Sequence, residues 1–206
     1  MKTKLIDYVE NGPIFITGHV NPDGDALGSA FALKLFLDSQ NIISDVDFDI
    51  TTKLPSNLNH LPYHLISDDL KEKYNTVFVF DCGNSSRLGK YEEVVLEADN
   101  IIVIDHHVDP SFGDVQIIDS HAASTTQVLF RQFKDENIEI NEEMSNCLLT
   151  GLITDTGRFQ YSNTTSEVFS IAAELLSNGA NLSKISENIY GSIEFNALTL
   201  QSKIIE

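Results

Sequence analysis

The sequence contains few basic residues, and they are scattered along its length. Lys and Arg total 13 against 31 Asp and Glu, so the formal net charge at pH 7 is −18. Proteins that hold long nucleic acids by electrostatics usually carry a basic stripe, because phosphate contacts dominate that binding. We therefore expect no tight binding of long duplex DNA by this chain alone, and solubility accounts for most of the acidic residues.

Cysteines and long apolar runs are also scarce. The two cysteines, Cys82 and Cys147, are far apart and form no C-x-x-C pattern, which is typical of free thiols in a cytoplasmic protein. No stretch approaches the roughly 20 apolar residues that a membrane span requires. The basic N-terminus is followed by neither an apolar segment nor a cleavage site, so no signal peptide is predicted. These absences indicate a cytoplasmic protein without a membrane partner.

The remaining composition, 42% hydrophobic over 206 residues, is that of one globular domain. Apolar runs predict five strands, at PIFITGH, IISDVDFDI, NTVFVFDCG, NIIVIDHH and VQIID. Helices are predicted between them, at DALGSAFALKLFLDSQ and RLGKYEEVVLEA, and from residue 124 onward. This alternation predicts an α/β fold with a largely parallel sheet and helices on both faces, a Rossmann-like three-layer arrangement. No G-x-G-x-x-G follows the first strand, so a nicotinamide-binding fold is a weak alternative.

Acidic residues and histidines recur where a predicted strand or helix runs into a loop. They are His19, Asp23, Asp25, Asp81, Asp105, His106, His107 and Asp155. In an open parallel sheet the crevice beyond the carboxyl ends of the strands is the usual ligand site. Since three of the predicted strands deliver polar residues at that end, we expect these side chains to converge on one crevice.

Aspartates gathered in one crevice would repel one another unless cations were bound there. Carboxylates with one or two imidazoles suit Mn²⁺, with Mg²⁺, Co²⁺ or Fe²⁺ as alternatives. The number of donors exceeds the need of one ion, which favours two ions that share a carboxylate, as in phosphoryl-transfer enzymes. Each residue also has an ordinary explanation: Asp25, before an apolar helix, is a candidate helix cap.

Four segments occur in an order that resembles a known family. GHVNPDGDALGSA, FVFDCGNSSRLG, VIDHHVDP and GLITDTGRF are similar to motifs I to IV of the DHH phosphoesterase superfamily. Within it they most resemble the bifunctional oligoribonuclease and pAp phosphatase group, the nanoRNases. The resemblance covers about residues 12–195.

The resemblance implies two divalent metal ions, with Mn²⁺ favoured, and a role for each metal-binding position. His19 and Asp23 would hold one ion. The other ion would be held by Asp25, His106 and Asp155, and Asp81 would bridge the two.

The resemblance also implies residues that act on the substrate. His107 would face the phosphate as hydrogen-bond donor or general acid, and Asp105 would orient a ligand histidine. Because neighbouring side chains of an extended segment point to opposite faces, we expect His106 to face the metal and His107 the substrate. Arg158 is a candidate phosphate contact, with a structural ion pair as the alternative. Ser124 opens a helix whose N–H groups could receive an anion, with simple helix capping as the alternative.

The implied function is hydrolysis of short oligonucleotides, dinucleotides and 3′-phosphoadenosine 5′-phosphate by metal-activated water. A pyrophosphatase or exopolyphosphatase of the same superfamily is one alternative, which the scarcity of basic residues disfavours. A non-catalytic metal or nucleotide sensor is another, which the complete set of candidate ligands disfavours. A homodimer stays open.

The domain organisation is also an expectation from the resemblance. Residues 1–190 would form the DHH catalytic domain, and 191–206 would begin a connector helix to a C-terminal DHHA1 domain that this chain lacks. The glycine-rich GGGH-like motif of that domain does not occur in the sequence. We therefore expect the chain to bind metal but to be weakly active.

Overall fold

A computed structural model describes residues 4–9, 12–108 and 110–191. Its sheet has five strands in the spatial order β2-β1-β3-β4-β5, and all four strand pairs are parallel. The strands are β1 (Ile14–Gly18), β2 (Ser44–Val46), β3 (Thr76–Phe80), β4 (Asn100–Asp105) and β5 (Val115–Ile118). The predicted parallel α/β fold is confirmed, although β2 is much shorter than the run that predicted it.

Six α-helices lie within the described residues. They are α1 (Gly24–Ser39), α2 (Glu92–Leu96), α3 (Thr125–Asp135), α4 (Glu142–Asp155), α5 (Ser166–Ser177) and α6 (Leu182–Tyr190). Short 3₁₀ helices occur at Leu5–Tyr8, Ser56–Leu58, Tyr63–Leu65 and Ser85–Tyr91. None of these described helices has both the length and the apolar character needed to cross a bilayer.

One helix prediction is wrong, and another falls outside the described residues. The single helix predicted over RLGKYEEVVLEA is wrong: a 3₁₀ helix precedes the short α2, and Gly89 within that 3₁₀ segment has a φ of +60°, which an α-helix does not allow. The helical continuation predicted beyond Gly191 falls on residues 192–206, which lie outside the described residues. The domain division at residue 190 therefore stays a prediction.

The two faces of the sheet are covered unequally. On one face Ile16, Phe78 and Ile104 pack in a large core with apolar side chains of α1, α3 and α4. On the other face Phe15 and Val79 pack under the thinner layer that the 3₁₀ helix Ser85–Tyr91 and α2 form. Because both faces are covered, β1 and β3 are buried along their whole length and consist mainly of Ile, Val and Phe.

The strand order places a topological switch point between β1 and β3. The chain leaves β1 through α1 toward β2 on one side, whereas β3, β4 and β5 follow in order on the other side. The crevice beyond the carboxyl ends of the strands at such a point is where ligands bind in open α/β sheets. His19 follows β1 and Asp81 follows β3, so both residues lie at this crevice.

Close contact between α1 and α4 depends on glycine. A Cβ atom on Gly28 of α1 would lie 2.4 Å from the carbonyl oxygen of Cys147 on α4. A Cβ atom on Gly151 of α4 would lie 2.6 Å from Oδ1 of Asp25 on α1. Hydrogen in place of a side chain thus lets the two helices approach until Asp25 and Asp155, at the α4 C-terminus, line the same crevice.

This packing predicts the effect of G28A. In a helix without this contact, alanine stabilises relative to glycine by about 0.5–1 kcal/mol. Here we expect the opposite sign, a loss of about 1–3 kcal/mol, because the new methyl group overpacks against the α4 backbone. Urea denaturation measures the change in the free energy of unfolding.

G83A is the matched control, since its Cβ atom would meet only Asp105 Oδ2, at an ordinary 3.7 Å. Equal stability of the two variants would contradict the role given to Gly28.

Candidate metal centre

The first residues of the candidate site lie at the ends of adjacent strands. His19 directly follows β1, Asp81 directly follows β3, and Asp105 ends β4 with two histidines after it. Asp81 adopts a left-handed backbone conformation, with a φ of +55°, which aspartate tolerates better than most residues. All three strands are neighbours in the sheet, so their ends bring these side chains to one edge.

The start of α1 supplies two carboxylates with different surroundings. Asp23 is the N-cap, and its Oδ1 accepts hydrogen bonds from the backbone N–H groups of Asp25 (3.0 Å) and Ala26 (3.1 Å). Asp25, the candidate cap in the sequence, lies inside the helix and is fully buried. The cap is therefore two residues before Asp25, and the Asp25 carboxylate is left for another partner.

That partner is the N-terminus of α3. Oδ2 of Asp25 accepts the N–H of Thr125 at 2.6 Å, and Oδ1 accepts the N–H of Thr126 at 2.8 Å. The Thr125 hydroxyl also donates to Oδ1 of Asp81 at 3.1 Å. The α3 N-terminus does receive an anion, as its chemistry favours, but the anion is a carboxylate of the protein itself.

Ser124 has the capping role that the sequence left as the alternative. Its Oγ accepts the N–H of Gln127 at 3.1 Å, and the residue is fully buried. In the structure this hydroxyl is bonded within its own helix, and the substrate contact that the resemblance implied for Ser124 stays a prediction. Sequence reasoning indicated the N–H groups at the start of this helix, but it missed the hydroxyl of Thr125, which donates to Asp81.

The predicted metal ligands fall into two groups of donor atoms, with Asp81 between them. Nε2 of His19 lies 3.4 Å from Oδ2 of Asp81 and 3.9 Å from Oδ1 of Asp23. Nε2 of His106 lies 3.6 Å from the other Asp81 oxygen, Oδ1. The same Nε2 lies 3.4 Å from Asp155 and 3.9 Å from Asp25. The structure thus brings together all six residues that the sequence singled out as candidate ligands.

Both candidate ligand histidines are oriented through their other ring nitrogen. Nδ1 of His19 lies 2.9 Å from the carbonyl oxygen of Val20, and Nδ1 of His106 lies 3.3 Å from that of Ala122. With an N–H at Nδ1 that donates to a carbonyl, Nε2 is the ring nitrogen that faces the carboxylates and that can bind a metal ion once it is deprotonated. This arrangement is the one that metal-binding histidines commonly have.

The orientation expected for the adjacent histidines is wrong. The rings of His106 and His107 lie on the same side, with centroids 4.5 Å apart, and Nδ1 of His107 is 3.4 Å from the same Asp81 oxygen that His106 faces. The cause is Asp105, whose Oδ1 accepts the backbone N–H groups of His106 (2.7 Å) and His107 (3.0 Å). These two bonds bend the chain as soon as β4 ends.

Asp105 also orients a different histidine from the one expected. Its Oδ1 contacts Nδ1 of His107 at 2.8 Å, whereas the His106 ring is held by a backbone carbonyl. Asp105 is fully buried, and the His107 side chain is half exposed. The geometry therefore gives Asp105 an orienting role toward His107, the residue at the mouth of the crevice.

Arg158 contacts an aromatic ring in the structure. Its guanidinium group lies over the ring of Tyr190, 3.7 Å from the centroid, in a cation–π contact. The residue is exposed and follows Asp155 by three positions. A phosphate contact for Arg158 stays a prediction.

The electrostatics show how unfavourable the cluster is without cations. Burial, together with the charges of Asp23 and Asp81, raises the pKa of Asp155 to about 8. Burial and the charges of Asp155 and Asp81 raise the pKa of Asp25 well above its ordinary value. Burial opposes the charge on His19, but Asp23 and Asp81 outweigh it and raise its pKa to about 10. Protons on these groups therefore take the place of positive charge in the crevice.

The donor set fits divalent cations. Among the described residues, three overlapping groups have donor atoms within 4.8 Å of one another: His19 with Asp23 and Asp81, Asp25 with His106 and Asp155, and Asp81 with Asp105, His106 and His107. Carboxylate oxygens with a few imidazoles suit Mn²⁺ and related ions. Backbone hydrogen bonds to Asp25 do not prevent ligation, since each carboxylate oxygen has two lone pairs.

Comparison with known proteins identifies the family. Residues 13–152 match the DHH family, N-terminal domain. This match spans more than half of the chain, so the chain belongs to the DHH family, and the resemblance to that family is confirmed.

Individual relatives give the same result. The chain is 33% identical over 187 residues to the bifunctional oligoribonuclease and PAP phosphatase NrnA of Thermus thermophilus, which covers 86% of this chain and 54% of that protein. It is 29% identical over 211 residues to a probable protein of that name from Streptococcus mutans, which covers 100% of this chain and 65% of that protein. The chain thus spans between about half and two thirds of these relatives' length.

A solved structure has the same fold over nearly the whole chain. It is that of an exopolyphosphatase-related protein from Bacteroides fragilis, with a TM-score of 0.87 and 29% sequence identity. The match covers 97% of this chain and 63% of that chain.

The pKa shifts predict that stabilisation by metal grows with pH. The folded-state pKa of Asp155, about 8, exceeds its ordinary 3.8, and that of His19, about 10, exceeds 6.5. These bound protons stabilise the folded state fully at pH values below the ordinary pKa of each group. Their contribution to the free energy of unfolding is lost as the pH rises through the folded-state pKa values. Metal ions require deprotonated ligands and replace the protons. We therefore expect the rise in Tm on Mn²⁺ addition to increase from about pH 6 to about pH 9.

Thermal unfolding with Mn²⁺ and with EDTA, across this pH range, measures the effect. A Tm difference that is constant with pH, or that shrinks as the pH rises, would contradict the assignment of these protons to the metal centre.

Proposed function

We propose that this chain is the catalytic part of a phosphoesterase that uses two divalent cations. Its proposed substrates are short oligonucleotides, dinucleotides and 3′-phosphoadenosine 5′-phosphate. The observation that carries the proposal is the position of Asp81, whose two carboxylate oxygens face two different groups of donors. Two-metal sites for phosphoryl transfer hold their ions about 3.5–4 Å apart, a spacing that one carboxylate can bridge.

The proposed ligands follow the two groups. One ion is held by His19, Asp23 and Asp81, and the other by Asp25, His106, Asp155 and Asp81. We propose Mn²⁺, with Mg²⁺ or Co²⁺ as alternatives, because carboxylates suit all three and the imidazoles favour the softer ions. When bound, these ions supply positive charge for the phosphate oxygens and lower the pKa of the attacking water.

His107 is the proposed residue for the leaving group. Its Nδ1 is held by Asp105 at 2.8 Å, so its Nε2 is directed away from that buried carboxylate. Its half-exposed ring stands beside Asp81, where a phosphate held by the ions would lie. A proton donated from Nε2 to the departing oxygen prevents the build-up of negative charge on that oxygen.

The substrate class is proposed from the named relatives. The Thermus and Streptococcus proteins carry names that describe oligoribonucleases and PAP phosphatases. Both are longer than this chain, so we propose that part of the substrate affinity lies in the remainder of such proteins. No tight binding of long duplex DNA is expected from a chain of net charge −18. The cytoplasmic location and the open question of a homodimer stay predictions.

Hydrolysis of inorganic polyphosphate or pyrophosphate is the second candidate. The Bacteroides structure, an exopolyphosphatase-related protein, supports it. Against it stands the composition of the crevice: in the described part of the chain, the ion-pair contacts of the clustered carboxylates are all with histidines. A small and highly charged substrate would need a dense set of Lys and Arg that these contacts do not show.

The bridging position of Asp81 predicts a difference between two aspartate variants. D81A should lose both ions or bind them with altered affinity at both positions, because Asp81 faces both donor groups. D23A should lose one ion, because Asp23 contacts only the His19 group. Calorimetric titration with Mn²⁺ counts the ions bound.

D38A, which changes an exposed aspartate paired with Lys34, is the control and should bind as the wild type does. Loss of one ion in both D81A and D23A would remove Asp81 from the bridging role.

The role of His107 predicts retained metal with reduced turnover. H107A should bind Mn²⁺ with the wild-type stoichiometry, while its kcat falls by about 10²–10⁴-fold, the range for a lost general acid. The assay compares a dinucleotide, 3′-phosphoadenosine 5′-phosphate and pyrophosphate, each with Mn²⁺.

Wild-type activity confined to pyrophosphate would favour the second candidate function. Loss of metal in H107A, with both ions retained in H106A, would exchange the roles of the two histidines.

A further inference from the structure

The first turn of α3 contacts two candidate ligands that belong to different parts of the chain. Asp25 precedes it by 100 residues and Asp81 by 44. Thr125 contacts both: its N–H lies 2.6 Å from Oδ2 of Asp25, and its hydroxyl lies 3.1 Å from Oδ1 of Asp81. Thr125 itself is fully buried, so neither carboxylate can replace these donors with water.

The next residue, Thr126, is nearly the same in surroundings but different in its contacts. It is also buried, and its N–H also holds Asp25, at 2.8 Å. Its hydroxyl, however, bonds to Oγ of Ser124 at 2.8 Å and to neither carboxylate. The two threonines therefore differ in one respect that concerns the site: only the Thr125 hydroxyl reaches Asp81.

The position of Thr125 in the helix leaves its hydroxyl free for this bond. A threonine inside a helix usually donates to the carbonyl three or four residues earlier. Thr125 is the first residue of α3, after the cap Ser124, so no helical carbonyl of an earlier turn competes. Its β-branched side chain has few rotamers, which holds the hydroxyl toward Asp81.

We propose that Thr125 is a positioning residue of the metal centre that sets Asp25 and Asp81 at a fixed distance from each other before any ion binds. Its backbone holds a ligand of one ion, and its hydroxyl holds the carboxylate shared by both. This inference rests on the proposed function, because it requires that the cluster bind divalent ions.

The physical reason is the repulsion between the two carboxylates. When both carboxyl groups are ionised, as metal ligation requires, they repel each other unless donors hold them in place. Thr125 donates to both, so the cost of bringing them together is met when the protein folds. Hydrogen-bond partners of ligands commonly change metal affinity by about 10–100-fold when they are lost.

Isosteric variants test this inference. T125V removes the hydroxyl, keeps the shape and keeps the N–H to Asp25. T126V is the matched control, with the same change one residue later, and T125S restores the hydroxyl. We expect T125V to bind Mn²⁺ about 10–100-fold more weakly than the wild type, and T126V and T125S to bind within about threefold of it.

Two measurements separate positioning from stability. Calorimetry gives the Mn²⁺ affinities, and electron paramagnetic resonance of the Mn²⁺ pair reports the coupling between the ions, which should change in T125V alone. The Tm in EDTA should fall no more in T125V than in T126V. If T125V does not fold, T125S and T125A, which differ only by the hydroxyl, give the same comparison.

The outcomes distinguish this inference from the function on which it rests. A wild-type chain that takes up no Mn²⁺ overturns both proposals. Wild-type uptake of two ions, with T125V equal to T126V in affinity and in spectrum, overturns the role of Thr125 and leaves the proposed function standing.

Discussion

Repulsion between buried carboxylates is the constraint on which the arrangement of this protein depends. Asp25 and Asp81 are buried, and Asp155 is largely so, yet all three face the crevice at the switch point of the sheet. Burial and, after it, the charges of neighbouring carboxylates raise the pKa of Asp25 and of Asp155. A fold that keeps them together must hold them by other contacts.

Two features of the helices meet this constraint. Glycines at 28 and 151 let α1 and α4 approach closely, which brings Asp25 and Asp155 together against their repulsion. The N-terminus of α3 then holds Asp25 with two N–H groups at the positive end of the helix dipole. The carboxylates are thus fixed by backbone and packing rather than by surface side chains, so little reorganisation remains for the moment when ions bind.

Much of this site could be predicted from the sequence, because strand ends carry their own signal. Apolar runs that stop at His19, Asp81 and Asp105 mark the carboxyl edge of a parallel sheet. Because these strand ends share one edge, the side chains there were expected to lie close together. The remaining features depend on contacts that no local pattern contains. The hydrogen bond from Thr125 to Asp25 joins residues 100 positions apart. The bend after Asp105 arises because its carboxylate accepts hydrogen bonds from two backbone N–H groups.

The net charge of −18 gives the proposed ions a role beyond chemistry at the phosphate. In the metal-free crevice, the protons on Asp25, Asp155 and His19 offset part of the negative charge, so a phosphate ester meets no excess of positive charge there. Two divalent ions bring four positive charges, more than the protons that they displace, so the crevice becomes more positive where the phosphate would lie. On the proposed function, metal loading therefore governs affinity for substrate as well as the rate of hydrolysis. A chain with few basic residues can then bind an anion, because its cations come from solution and its sequence supplies the carboxylates that hold them.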